Sequence, residues 1–280
     1  MTGSILFVGD IHDKGSVVCP AVEHHMTERH VDTVVLLGDL LNDWNMSAKG
    51  EINEFAILHD HVLAWRRDGV DVRVLLGNHD VVYTTQPRSI EAYRLKDCSP
   101  GYNPGAHGTI RPMLLELEPQ IAYGVRLADD PNGRQVLCTH AGVTLSWMDW
   151  CRRILGSEPL GDGAAYIALW LNQLFRDHPV TFMERIGLKR GGGWNKTISP
   201  LWVDRGEHNE HDSVLPGDII QIVGHTPVPT ITPAPGIRYC DTMSDDSHGN
   251  HLGDGSMLLY DGTTGRFDTL PWPEHIERNA

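Results

Sequence analysis

Five apolar, largely β-branched runs along the chain each stop at a short set of polar residues. The first three are SILFVGDIH (4–12), DTVVLLGDLLND (32–43) and VRVLLGNHD (72–80); RQVLCTHAG (134–142) and DIIQIVGHTP (218–227) follow. Continuous apolar runs of this length read as buried strands. Helix-like stretches at 17–30 and 51–68 separate the first three, with the length a βαβ crossover requires. In such a sheet the carboxyl ends of the strands share one rim, and ligands bind there. Asp10, Asp39 and Asn78, far apart in sequence, are therefore expected to converge. IRYCDT and GSMLLYDG read as further strands, the second closing through Asp-Gly into a hairpin with GRFDTL. Segment 145–190 reads as mostly helical, and with the glycine-rich RGGGWNK (190–196) it is expected to cover the rim. With no solenoid repeat and no low-complexity linker, the pattern predicts a single domain over 1–280, with 143–215 a mostly helical and loop insertion over the site.

Composition narrows the classes. The 280 residues are 40% hydrophobic and 21% charged, enough for a substantial core. No stretch has the roughly 18 apolar residues of a membrane span, and the first ten residues carry no basic, cleavable leader. A formal charge of −14 argues against binding of duplex nucleic acid, since phosphate contacts need a positive face. It does not exclude an anionic substrate, because divalent cations in a carboxylate cluster reverse the local field. The five cysteines are odd in number and form no CxxC pair, which fits reduced thiols in a cytoplasmic protein.

The candidate chemistry lies where the runs end: Asp10, His12, Asp39, Asn78, His79, His140 and His225. The set mixes oxygen and imidazole donors and has no thiolate, which suits manganese, iron or zinc in a hydrolytic site better than a structural zinc cage. Asp10 and His12 are two apart, so an extended strand would project them to the same side. A carboxylate such as Asp39 can bridge two cations about 3.5–4 Å apart, the spacing of two-metal phosphoryl chemistry. Gly-Asp or Gly-Asn at a single strand end is ordinary turn and cap chemistry. Five such ends in succession are not explained that way.

GDIH, GDLLND, GNHD, THAG and GHTP, in this order, resemble the calcineurin-like metallophosphoesterases, over residues 9–227. The resemblance implies a four-layer α/β/β/α sandwich, an α/β fold with a dinuclear site at the C-terminal ends of the strands. It places Asp10 and His12 on a first metal, Asp39 between both, and Asn78, His140 and His225 on the second. Two divalent ions are implied, manganese first, with iron or zinc as alternatives. It also implies in-line attack on phosphorus by a hydroxide shared between the metals, with His79 protonating the leaving oxygen. Many relatives carry a second ligand histidine two residues after the last one; Pro227 stands there in this chain. That places the chain closest to the phosphoprotein phosphatase and diadenosine tetraphosphatase branch.

Two departures qualify the resemblance. Where that branch has an Asp-Arg pair after the bridging aspartate, this chain has Asn42 and Asp43. Asn42 can orient His79 by hydrogen bonding without adding charge, and Asp43 cannot grip phosphate. Asp13 also stands where the branch has glycine. A replacement clamp should be an arginine, for its bidentate fork; the candidate is Arg205 in SPLWVDRGE, by position among relatives, with a surface ion pair to Asp204 or Glu207 as the competing role.

Other residues receive structural assignments. His59 and His61 sit two apart in a crossover helix and cannot share its face. His208 and His211, bracketed by Pro200 and Pro216, are expected in a solvated loop, and His248 and His251 in an acidic, glycine-rich one. Trp147, Trp150 and Trp170 are expected in the core. The leading expectation is a phosphatase for phosphomonoesters such as phosphoserine or phosphothreonine; its partner is a phosphopeptide, phosphomonoester or nucleotide, not a membrane. Hydrolysis of diadenosine polyphosphates or cyclic nucleotides is the alternative, and a non-catalytic binding scaffold is a third. Loops 84–110, 143–215 and 241–256 are expected to set substrate choice.

Overall fold

The computed structural model describes residues 3–44, 46–127, 133–190 and 193–278. Ten strands occur in it: β1 (Ser4–Val8), β2 (Val31–Leu36), β3 (Asp71–Val74), β4 (Ala122–Arg126), β5 (Gln135–Thr139), β6 (Ile219–Val223), β7 (Thr232–Ala234), β8 (Ile237–Tyr239), β9 (Met257–Asp261) and β10 (Arg266–Leu270). They form two five-stranded sheets, ordered β10-β9-β1-β2-β3 and β4-β5-β6-β8-β7. The longer helices are α1 (Gly15–Arg29) and α2 (Ala48–Arg67). The short α3 (Val81–Thr84) and α4 (Ile90–Leu95) precede α5 (Pro104–Glu116). After β5 come α6 (Leu145–Trp150), α7 (Ala164–Asp177), α8 (Pro179–Glu184) and the single turn α9 (Glu210–Ser213).

Alternation along β1 builds the layers. Ile5 and Phe7 point inward with Val35 and Leu37 to meet Val136, Cys138 and Ile222 of the second sheet. Leu6 and Val8 point the other way, into a cluster with Val18 and Val22 of α1 and Phe55, Leu58 and Val62 of α2. Successive side chains leave opposite faces of a strand, and here both faces are covered, which is why β1 reads as an unbroken apolar run. On the far side, Ile167 and Leu171 of α7 pack with Ala122 and Leu137 of the second sheet. The result is two sheets face to face with helices outside each, the α/β architecture the resemblance implied.

The βαβ reading is correct for the first sheet: β1 pairs parallel with β2, and β2 with β3. The β9–β10 hairpin also forms, antiparallel and closed where the Gly265 N–H donates to the Asp261 carbonyl. Strand β4 and helix α5 have no counterpart in the sequence reading. Strand β4 is half-buried with Gly124 at its centre, and α5 carries Pro112 within it and two glycines, features that erase both periodicities. Trp147 and Trp170 are buried as expected, with Trp147 stacked on Trp150 at 5.5 Å. His208 departs from its expected solvated loop. It is half-buried, paired with Ser213 Oγ at 2.7 Å and the Ala141 carbonyl at 3.0 Å, and so braces the THAG turn. Among the described residues no helix is long and apolar enough to cross a membrane.

Candidate metal centre

Because β1, β2 and β3 run parallel, their carboxyl ends deliver Asp10, Asp39 and Asn78 to one rim. β5 and β6, also parallel, deliver His140 and His225 from the facing sheet. Asp39 is the meeting point: its Oδ2 lies 3.2 Å from His140 Nε2, 3.8 Å from His79 Nε2 and 3.9 Å from His12 Nε2. Among the described residues two clusters of potential metal donors result, His12–Asp39–His79 and Asp39–His140–His225, with the donor atoms of each within 4.8 Å of one another. Asp10 adds a carboxylate 3.9 Å from His12 Nε2 and accepts the His225 backbone N–H on both oxygens at 3.0 Å.

The backbone bends sharply to do this. His12, Asp13, Asp39, Asn42 and His225 all have φ between 45° and 67°, a left-handed region that costs a non-glycine residue about 1–3 kcal/mol. The glycines before the ligands have a different task. A Cβ on Gly77 would stand 2.0 Å from Asp39 Oδ1, and one on Gly224 would stand 2.0 Å from Asp10 Oδ1. Each carboxylate thus packs against the bare backbone of another motif.

The donor set fits a pair of divalent ions. His140 Nδ1 is engaged by the Leu37 carbonyl at 2.9 Å, and His12 Nδ1 by the Leu41 carbonyl at 3.1 Å. Carbonyls only accept, so both rings carry a proton on Nδ1 and turn Nε2 toward the site, the nitrogen that can ligate an ion. His140 Nε2 then faces Asn78 Oδ1 at 3.0 Å, His225 Nδ1 at 3.1 Å and Asp39 Oδ2. Two imidazole nitrogens, an amide oxygen and a carboxylate converging on one buried point are a donor set that suits a divalent cation. The electrostatics agree. Burial, then Asp241 and Asp39, push the Asp10 carboxyl well up. Burial also pushes Asp39 upward, but His140, His79 and His12 outweigh it and hold it well below the usual carboxylate range.

The remaining site residues fall in different places. His79 is next to ligand candidate Asn78, its backbone N–H held by Asp39 Oδ1 at 3.0 Å. Its ring packs edge-on to His12 at 4.9 Å, and its Nδ1 is buried with no hydrogen-bond partner among the described residues. Burial pushes its pKa down to about 4, against the upward pull of Asp39. Asn42 does not reach that ring. Its amide nitrogen donates to Glu51 Oε1 and Tyr83 Oη, both at 2.8 Å, and its Oδ1 has no partner. The expected Asn42–His79 hydrogen bond is thus absent among the described residues, and Asn42 belongs to a buried network with Glu51 and Tyr83.

A cavity of about 670 Å³ opens over the cluster, and His12, Asp39, Asn78, His79 and His225 line its floor. Arg190, Trp202, Asp43 and Asp246 line its walls, whereas Arg205 does not. Arg205 is exposed, its N–H on Thr226 Oγ1 at 3.1 Å and its guanidinium 5.6 Å from the Tyr239 ring centre. The guanidinium at the cavity is that of Arg190, whose Nε bonds Asp204 Oδ2 at 2.8 Å. Its charge is felt at Asp10, His79 and His225. The sequence signal was present in RGGGWNK, read as a cover without its arginine being singled out. Asp80 was also missed. Fully buried, it accepts the N–H groups of Leu40, Leu41 and Gly77, fastening the GNHD turn to the turn after β2.

The sequence profile of the calcineurin-like phosphoesterase family matches residues 3–258. No curated protein matches the chain. Among solved structures it is similar to a hypothetical protein of Pyrococcus horikoshii OT3, at 10% identity over 97% of this chain and 89% of that one, TM-score 0.45. It is similar to a dimetal phosphatase of Danio rerio at 12% identity over 97% and 99% of the two chains, TM-score 0.35. The phosphatase domain of the Legionella effector WipB matches at 16% identity over 69% and 71%, TM-score 0.41.

Proposed function

The chain belongs to the calcineurin-like phosphoesterase family and is a metal-dependent phosphoesterase; we propose that it acts as a phosphatase on phosphomonoesters of the phosphoserine and phosphothreonine type. The observation that carries this reading is the pair of donor clusters that share Asp39 and open into one cavity through His12 and His79. Asp10, His12 and Asp39 would hold one ion, and Asp39, Asn78, His140 and His225 the other, with manganese the first choice for a mixed oxygen and imidazole set. Two such ions, when bound, supply Lewis acidity: an ionised nucleophile near neutral pH and charge neutralisation at the phosphoryl oxygens.

The side chains divide the rest of the work. His79, whose Nδ1 has no partner among the described residues, is placed to protonate the leaving oxygen once the negative charge of a bound phosphoryl group offsets the burial that disfavours its proton, while its backbone bond to Asp39 fixes its place. Its position is set by that bond and by Asn78, so Asn42 has no direct part. Arg190 reaches the cavity anchored through Nε, leaving its terminal nitrogens for a phosphoryl group, and takes the clamp role that Asp43 cannot fill. One guanidinium suits one phosphoryl group. A polyphosphate chain would also run past Asp43 and Asp246 in the cavity wall, and this favours a monoester over a dinucleoside polyphosphate.

Arg190 and Trp202 both come from residues 143–215, which supports reading that segment as an insertion on a single domain that walls the site. All five cysteines are free thiols, four of them buried, in keeping with a cytoplasmic setting. The test is hydrolysis by metal-stripped protein with manganese restored, offered a phosphothreonine peptide, diadenosine tetraphosphate and bis-p-nitrophenyl phosphate. Turnover of the peptide alone is expected. Turnover confined to the dinucleotide or the diester overturns the monoester assignment, and two bound ions with no turnover of any substrate would leave a binding scaffold.

A further inference from the structure

Pro227 follows His225 by two residues and brings no side-chain donor to the site, although it lines the cavity. The backbone next to it is occupied in another way. The Val228 N–H donates to the Asp241 carbonyl at 2.8 Å, which holds Asp241 against this turn. Asp241 follows β8, and β8 runs parallel to β6, so it reaches the same rim as His225. A Cβ on Gly9 would stand 2.1 Å from the Cys240 carbonyl oxygen and 3.1 Å from Asp241 Cα. Asp10 and Asp241 thus leave two backbones in direct contact.

The Asp241 side chain is in an unusual state for a carboxylate. It is 1% exposed, and its Oδ1 accepts the Ser244 N–H at 3.2 Å. Its Oδ2 is buried with no partner among the described residues. Burial pushes its carboxyl up, with Asp39 adding to this and His12 opposing it, and its backbone lies against Gly9, the residue before Asp10. A buried carboxylate oxygen without a donor, beside two more carboxylates, is strongly unfavourable. A cation among Asp10, His12 and Asp241 would supply the missing partner.

We infer that Asp241 is a further donor to the ion held by Asp10 and His12. This rests on the dinuclear reading above and adds to it a carboxylate from the β8 end. The first ion would then have three carboxylates and one imidazole, a harder, more oxygen-rich set than the second ion's, which favours manganese over zinc there.

The experiment is calorimetric titration of Mn²⁺ into metal-stripped wild-type protein and Asp241→Asn. Asparagine keeps an oxygen for the Ser244 N–H and has nearly the same volume. The wild type is expected to take two ions, and the variant to keep one affinity unchanged while the other weakens at least about 10–100-fold. A wild type that takes fewer than two ions overturns the dinuclear reading itself. A wild type with two ions, and a variant with the same two affinities, overturns the role of Asp241 alone. Thermal melting supplies a second readout independent of turnover. Metal-free Asp241→Asn should melt no lower than metal-free wild type, because a bare buried charge is gone, yet gain less from saturating Mn²⁺. A lower metal-free melting temperature with an undiminished Mn²⁺ gain would mean that Asp241 serves the fold and not the ion.

Discussion

The two donor clusters that meet at Asp39 differ in what surrounds them. In the inner one, His140 is fully buried, and each ring nitrogen has near neighbours fixed by strand ends of both sheets. In the outer one, the side chains of His12 and His79 are 14% and 17% exposed, and no hydrogen bond fixes His79 Nδ1 among the described residues. The contrast separates two tasks. An ion that must stay needs donors that cannot move, whereas proton transfer needs a ring that bulk water and substrate can reach. The structure puts the first behind Asp39 and the second in front of it.

Asp39→Asn should erase the distinction, since both clusters lose their shared carboxylate. Bound metal should fall to below one ion per chain, and kcat on the order of 10³-fold or more, as read by metal analysis and turnover on one sample. His140→Ala and His79→Ala should then sort the clusters. The first strips the inner ion and leaves the buried Asp39 carboxylate without its nearest partner, destabilising the metal-free fold by roughly 3–5 kcal/mol in denaturant melts. The second should keep both ions and lose roughly 10²–10⁴ in kcat on alkyl phosphates, with little loss on p-nitrophenyl phosphate, whose leaving group needs no proton. Loss of metal in His79→Ala would collapse the contrast between the clusters.

Arg190→Ala tests the wall of the outer site. KM is expected to rise roughly 10–100-fold, the value of hydrogen bonds to a charged group, while Arg205→Ala stays within about twofold. Reversal of the two would restore Arg205 as the clamp. A stability effect away from the site sets the acid limit for any pH profile of the outer cluster. Burial first, and then His24, push the His25 imidazole down to about 4. The folded chain thus resists a proton that the unfolded chain accepts near 6.5. The stability this group provides is complete above pH 6.5 and is lost as pH falls from there toward 4, on the order of 3 kcal/mol in all. His25→Gln should flatten that part of the curve of melting temperature against pH.

The sequence exposed the strands that end in ligands because burial on both faces leaves a signature that needs no partner to be recognised. The runs ending at Gly9, Gly38 and Gly77 correspond to β1, β2 and β3, and the residues just beyond them converge at the rim. What escaped depended on distant backbone. Nothing local to RGGGWNK shows that Arg190 turns inward on Asp204. Nothing in GDLLND shows that Asn42 turns away toward Tyr83, a residue 41 positions on. Asp80 and Asp241 look like turn residues in the one-dimensional chain. Only the fold shows three N–H groups collected on the first and an orphaned oxygen on the second.

The strand order carries a consequence for synthesis. Strand β1 is flanked by β2 and by β9, and the β9 side pairs Ile5, Leu6 and Phe7 with Tyr260, Leu259 and Leu258. One neighbour leaves the ribosome soon after β1 and the other more than 240 residues later. At about 5–20 residues per second, that edge waits roughly ten to fifty seconds for its partner. For that time an apolar strand bearing the first metal-site carboxylate has an open row of N–H and C=O groups, the kind of template on which other chains pair. The nascent protein is therefore expected to be prone to aggregate until β9 has been made, and a chaperone that masks the first 40 residues should raise its yield more than one that acts after release.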